Sequence, residues 1–155
     1  LDVAQLDHLL NHRSGMKGLS GQNDMREVHR LVAAGDPAAR LALEVYVHRL
    51  RKYVGAYAAV MGGLDALTFT AGVGENDAVV RAETVAGLGF LGLSIDPELN
   101  SARSAEPRVI SPPDTPAAVL VVPTREELEI ARQTLRLVRR EARPRTDEPA
   151  GAQGA

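Results

Sequence analysis

The sequence predicts an α/β fold with few strands and several helices, and three observations carry that reading. The apolar β-type run 64–69 breaks at Gly72-Val73-Gly74 and is followed at once by a polar helix start, Asn76-Asp77. The segment 37–61 opens on Asp36-Pro37 and closes at Gly62-Gly63, the proline-first, glycine-last punctuation of a single helix. A second apolar run, 117–122, follows the rigid turn Pro112-Pro113-Asp114-Thr115-Pro116 and reads as a buried strand.

Taken in order, 3–11 reads as a short helix ending at the Ser14-Gly15 turn. Gly15, Gly18 and Gly21 make a loop, and Asn23 or Asp24 caps a helix that runs to about residue 34. On the long helix, Leu41, Val45, Val47, Leu50, Val54, Tyr57, Ala58 and Met61 recur at helical spacing and form its apolar set. Gly55, Ala56, Ala58 and Ala59 allow another helix or subunit to come close. The strand 64–70 leads into the glycine segment, and 77–88 is a helix with Val79, Val80, Val85 and Leu88 facing inward. Gly89, Gly92 and Asp96-Pro97 mark a loop-rich passage, and 108–111 is a short strand. The last helix covers 124–141, where Thr124-x-x-Glu127 has the spacing of a capping box. Proline, glycine, alanine and acidic residues after Pro144 have the composition of a disordered tail. The organisation is therefore one partial domain over 1–141 and a tail over 142–155.

Composition narrows the function. With 155 residues, 45% of them hydrophobic, the chain can bury one ordinary core, and with 3% aromatics that core rests on Leu, Val and Ala. A net charge of −2 and a pI near 6.1 give no electrostatic case for a nucleic-acid partner. Cysteine is absent, which excludes disulfides, thiolate zinc sites and a cysteine nucleophile, and makes the cytoplasm the default compartment. No apolar stretch approaches a membrane span and no signal-peptide pattern opens the chain. His8 and His12 form an i, i+4 pair, but two ligands are too few for a metal site.

The glycine segment is the strongest chemical signal. A strand that breaks at glycines just before a helix offers little side-chain bulk and exposes backbone N–H groups where a nucleotide can come close. Two familiar phosphate motifs do not fit it. The dinucleotide fingerprint needs a third glycine where Asp77 stands, and neither Lys17 nor Lys52 has the context of a P-loop. A plain strand-to-helix connection, its glycines at positive φ and no ligand bound, fits the same residues.

Four blocks in order sharpen the reading: Leu19-Ser20-Gly21 with Asp24-Met25-Arg26, then Tyr53-Val54-Gly55-Ala56-Tyr57-Ala58-Ala59, then Thr68-Phe69-Thr70-Ala71-Gly72-Val73-Gly74-Glu75-Asn76, then Val121-Val122-Pro123-Thr124-Arg125-Glu126-Glu127-Leu128-Glu129-Ile130-Ala131. Together they resemble the C-terminal part of the acetate kinases, members of the acetate and sugar kinase, Hsc70 and actin superfamily, from about residue 1 to 138, nearly the whole chain. The resemblance implies an incomplete C-terminal domain of the actin-like (ribonuclease H-like) ATPase fold, with an exposed sheet edge that favours association. It also implies that Asp24, Met25 and Arg26 lie beside the ribose and adenine of ATP, and that Gly72, Val73, Gly74, Glu75 and Asn76 form the wall against the nucleoside. The residue types suit this: a carboxylate accepts from ribose hydroxyls and a guanidinium plane lies against a base. Read from the residues alone, Asp24 and Arg26 are better explained as a helix cap and a surface charge on the following helix.

By the same resemblance Glu126 is the carboxylate associated with Mg2+, while Glu127 is explained by the capping box. Two positions depart from the family pattern: Arg125 stands where Asn is usual, and Ala71 where Gly is common. The implied activity is phosphoryl transfer from ATP to acetate, giving acetyl phosphate and ADP, by a homodimer that pairs through its C-terminal domains. Propionate kinases look similar over these blocks, and a non-catalytic nucleotide-binding or assembly module fits them too. The family's acyl-site and catalytic residues belong to blocks that this sequence does not carry, so the expectation is a C-terminal fragment, inactive alone, with no catalytic residue of its own.

Overall fold

The computed structural model describes residues 1–141, which fall into two compact units, Leu1–Pro123 and a second that begins at Thr124. The tail expected over 142–155 lies outside the described residues.

The first unit begins with α1 (Val3–His12), α2 (Gly15–Ser20) and α3 (Met25–Ala33). Asp2 and Gln5 form a reciprocal capping box at α1, and Asp24 caps α3 by accepting from the Arg26 amide. The residues expected to form a glycine loop make α2 instead; Gly15 and Gly21 take positive φ at its two ends, and Gly18 lies against the Arg13 carbonyl, where a Cβ would come within 2.9 Å. The long helix α4 (Pro37–Met61) matches its sequence signals, with Asp36 accepting from the Ala38 and Ala39 amides, Pro37 in the first turn and Gly62 left-handed at the end. A cap of this kind is worth about 1 kcal/mol.

The buried stripe of α4 matches the expected one in part. Ala39, Leu43, Val47 and Ala58 are buried and Leu50 and Val54 half-buried, whereas Leu41, Val45, Tyr57 and Met61 are exposed. Val47, Leu50, Val54 and Ala58 are thus inward as expected. Ala39, Leu43, Val47 and Leu50 pack with Val28 of α3 and Val80 of the later helix α6 (Ala78–Ala86) in the helical core, and Val54 packs against the sheet core.

Three short strands form one mixed sheet in the order β1-β3-β2. The strand β1 (Ala66–Phe69) runs parallel to β3 (Ala118–Val121), with Phe69 opposite Val121, and β2 (Arg108–Val109) pairs antiparallel to β3 on its other side. Among the described residues β1 is paired along one edge only. Between β1 and β2 come α5 (Ala71–Asn76), α6, a 3₁₀ turn and α7 (Pro97–Ser101). The expected loop at Asp96-Pro97 is thus another capped helix start, Asp96 accepting from the Glu98 and Leu99 amides. The sheet core gathers Val85, Leu88, Leu93, Ile110, Ala117, Val119 and Val121. One helix therefore joins both cores, Val80 of α6 in the helical cluster and Val85 in that of the sheet. Arg51 of α4 steadies it by donating to the Glu83 and Thr84 carbonyls near its C-terminus.

The second unit holds α8 (Glu126–Glu141), which begins two residues later than expected. Arg125 occupies the residue before the first turn, and its carbonyl accepts from the Glu129 amide. Among the described residues no helix is long and apolar enough to cross a membrane.

Candidate functional site

The glycine segment folds in a way its composition conceals. It is not an open turn: residues Ala71–Asn76 coil into α5, Gly72 and Gly74 keep negative φ, and the left-handed residue is Ala71, at φ 59°. The position where glycine is common in the family pattern is therefore the one whose backbone demands it. Asn76 folds back on this coil, its Nδ2 donating to the Gly72 carbonyl at 2.9 Å.

A cleft of about 870 Å³ opens between this coil and the start of α3. One wall carries Asn23, Asp24, Met25, Arg26 and His29, and the other Gly72, Val73, Asn76, Asp77, Ala78 and Val79. Six of the eight residues expected at a nucleotide thus line one space: Asp24, Met25, Arg26, Gly72, Val73 and Asn76. The size falls in the usual range for small-molecule clefts. Gly74 and Glu75 do not line it. Gly74 is pressed against the backbone of Phe69, and the carbonyls of both accept from Arg81 on α6.

On the first wall Asp24 and Arg26 are bound to each other. Arg26 donates its amide and Nε to Oδ1 at 3.0 Å each and Nη2 to Oδ2 at 2.5 Å. These bonds, the side-chain ones first, hold the Asp24 carboxyl at about 2 instead of 3.8 and push the guanidinium up. The cap reading and the cleft reading of Asp24 are therefore both present in one geometry.

Five lining residues, Asn23, His29, Asp77, Ala78 and Val79, lie outside the expected site, and two of them meet. His29 Nε2 lies 2.6 Å from Asp77 Oδ2 across the two walls, while Asp77 Oδ1 accepts from the Val80 amide and caps α6. The helical offset of 25, 26 and 29 is the one signal that sets His29 on the Met25 and Arg26 side of α3. Val79, expected inside, is exposed and faces the cleft. The Asp77 cap also answers the idea of a phosphate at this helix start, since a carboxylate already occupies it. With Asp24 and Asp77 against Arg26, the lining is not electropositive; its apolar parts, Met25, Val73, Ala78 and Val79, suit a flat ring, and its polar ones suit hydroxyls.

Glu126, the expected metal carboxylate, is exposed in the first turn of α8, in the second unit. Among the described residues no three His, Cys, Asp or Glu side chains gather as a metal site. A lone carboxylate fits Mg2+ only where phosphate oxygens and water complete the shell.

A short mixed sheet flanked by helices, with a cleft between a helix start and the coil at a strand end, is part of an actin-like ATPase fold. The chain superposes on the acetate kinase of Porphyromonas gingivalis with a TM-score of 0.80 at 41% identity, covering 89% of this chain and 35% of that one. It superposes on a propionate kinase from Francisella tularensis with a TM-score of 0.76 at 41% identity, covering 86% and 34%. In sequence it is 59% identical over 138 residues to the acetate kinase of Leifsonia xyli and 60% identical over 138 residues to that of Streptomyces avermitilis, 89% of this chain in each case. The profile of the acetokinase family matches residues 1–132, and the chain belongs to that family. It spans about a third of the length of these curated relatives, 35% and 34%.

Proposed function

We propose that this chain is the ATP-binding, C-terminal part of an acetate kinase, an enzyme that passes the γ-phosphoryl group of ATP to acetate. The observation that carries the proposal is the convergence of Asp24, Met25 and Arg26 with Gly72, Val73 and Asn76, distant in sequence, on one cleft. In this reading the adenine lies among Met25, Val73 and Val79 with the Arg26 plane beside it, and the ribose hydroxyls donate to Asp24. Gly74 and Glu75 act from behind, as the backbone that holds Asn76. Glu126 is the residue that the family resemblance assigns to Mg2+; it would hold the metal as a single carboxylate, and the metal would supply neutralisation of phosphate charge.

The chain alone is proposed to bind without turnover. Stabilising a transferring phosphoryl group takes cations aimed at it, and among the described residues the one arginine lining the cleft is already tied to Asp24. The acid substrate is open to a second reading, propionate, because the Francisella tularensis propionate kinase and the Porphyromonas gingivalis acetate kinase are each 41% identical to this chain. A homodimer, a cytoplasmic location and pairing through α4, which exposes Tyr53, Tyr57, Val60 and Met61, belong to the same proposal.

Titration calorimetry of the full chain with Mg-ATP tests it, with Asn76→Ala and Glu126→Ala alongside. Saturable binding is expected, weakened by Asn76→Ala; Glu126→Ala is expected to weaken Mg-ATP more than ATP without metal. A folded chain that takes up no nucleotide would leave an assembly role as the reading.

A further inference from the structure

We infer that Arg81 is a positioning residue of the cleft, the anchor that holds the Gly72–Asn76 coil in place; the inference rests on the nucleotide reading above. Arg81 sits in α6 and is 2% exposed, yet among the described residues no carboxylate is a hydrogen-bond partner of it. Its Nη1 donates to the carbonyls of Gly74 and Glu75, at 2.8 and 2.9 Å. Its Nε and Nη2 donate to Oδ1 and the backbone carbonyl of Asn100 on α7, both at 2.7 Å. Asn100 in turn donates through Nδ2 to the Ala78 carbonyl at 2.9 Å, closing the network at the edge of the cleft.

The chemistry of a short helix end explains why an arginine stands here. The last carbonyls of a helix have no intrahelical donor, and α5 is so short that Gly74 and Glu75 are among them. A buried cation there satisfies both carbonyls and complements the helix dipole. Only a planar fork can reach two carbonyls on one side and an amide residue on the other; an ammonium cannot span both. Burial, with Arg108 nearby adding to it and Asp77 opposing, pulls the guanidinium downward from its ordinary value, so the site carries a cost that its bonds must offset. On its opposite side α5 is stopped by Phe69, against which Gly74 is packed. The coil is thus in contact with the strand end through Gly74 and tied to α6 through Arg81, and Asn76 is the next residue along.

The test compares the full chain with Arg81→Met, Arg81→Lys and Val85→Ala. Arg81→Lys keeps the charge and loses the fork, and Val85→Ala weakens the sheet core away from the cleft. Two readings are taken: Mg-ATP affinity by calorimetry, and amide hydrogen exchange at residues 74–77 relative to α4. For Arg81→Lys the expected result is about tenfold weaker Mg-ATP binding, with exchange at 74–77 raised about tenfold over that of α4. Arg81→Met should go further in both where it folds, and Val85→Ala should shift stability while leaving affinity and the exchange ratio within about threefold of the parent. Wild-type affinity in Arg81→Lys, or exchange at 74–77 that rises only in step with α4, overturns the inference. No saturable Mg-ATP binding by the parent chain overturns the nucleotide reading instead, and the exchange ratio then still decides whether Arg81 anchors the coil.

Discussion

His29 and Asp77 join the two walls of the cleft, Nε2 to Oδ2 at 2.6 Å, with both side chains largely shielded from solvent. A carboxylate only accepts, so Nε2 carries the proton of this bond. The same Asp77 caps α6 through Val80, which ties the placement of α3 to the start of the helix behind α5. A double-mutant cycle with His29→Gln and Asp77→Asn should return a coupling of about 1 kcal/mol in urea denaturation. Asn keeps the cap, so Asp77→Ala should cost about 1 kcal/mol more than Asp77→Asn. Zero coupling would mean that the pair does not hold the walls.

Asp24 predicts an acid-side signature. Its carboxyl is held at about 2 by Arg26, below the ordinary 3.8, so the unfolded chain binds this proton first as pH falls. The stabilisation is fully present above pH 3.8 and is lost as pH drops through about 2. In Asp24→Asn, which can still cap α3, the contribution is absent. The difference in unfolding midpoint between the two proteins should therefore shrink between pH 4 and 2, and added salt should reduce it because the pair is exposed. A difference that is constant over that range would show that Arg26 does not hold the carboxyl in its charged form.

Those two residues also show how far local sequence carries. Asp24 is legible because an N-cap acts on amides two and three residues away, and Asp36-Pro37 with Gly62 bounds α4 for the same reason. Asp96-Pro97 has the same signal, yet the neighbouring glycines make it read as loop. What composition hides is structure imposed from elsewhere in the fold. Gly18 is needed inside α2 because the Arg13 carbonyl lies against it, and α5 exists between Phe69 and Arg81. On α4, Ala39 and Leu43 face inward because Val28 and Val80 pack against that side, whereas periodicity alone also admits Leu41 and Val45. Most of the cleft follows from family resemblance, whereas His29 and Asp77 meet only because α3 and α6 pack together.

Ala71 carries the strain of a left-handed backbone at φ 59°. An L-residue with a Cβ loses roughly 1–2 kcal/mol there, while glycine gives back part of that gain through the entropy of the unfolded chain. Ala71→Gly should therefore stabilise the chain by roughly 0.5–1 kcal/mol, and Ala71→Val should destabilise it. Denaturant midpoints decide it; a clear loss in Ala71→Gly would remove the left-handed conformation from this site.

The two glycines of α5 should answer alanine in opposite ways. A Cβ on Gly74 would meet the Phe69 carbonyl carbon at 3.2 Å, and that backbone is held in the sheet by the Val122 amide, which donates to the Phe69 carbonyl oxygen at 2.9 Å. The helical gain of alanine, about 1 kcal/mol, is then outweighed by overpacking of roughly 1–3 kcal/mol. Gly74→Ala should lose about 1 kcal/mol of stability and, by pushing α5 off the strand end, weaken Mg-ATP binding. Gly72 has no atom within 4 Å of an added Cβ and no positive φ, but it lines the cleft. Gly72→Ala should therefore raise the stability of the unliganded chain by up to about 1 kcal/mol while lowering its affinity for Mg-ATP, because the new methyl group occupies the nucleotide's side of the coil. Thermal unfolding with and without Mg-ATP separates the two effects: the midpoint of Gly72→Ala should start higher than that of the parent and rise less on addition of nucleotide. An equal rise in both proteins would take Gly72 out of the nucleotide wall.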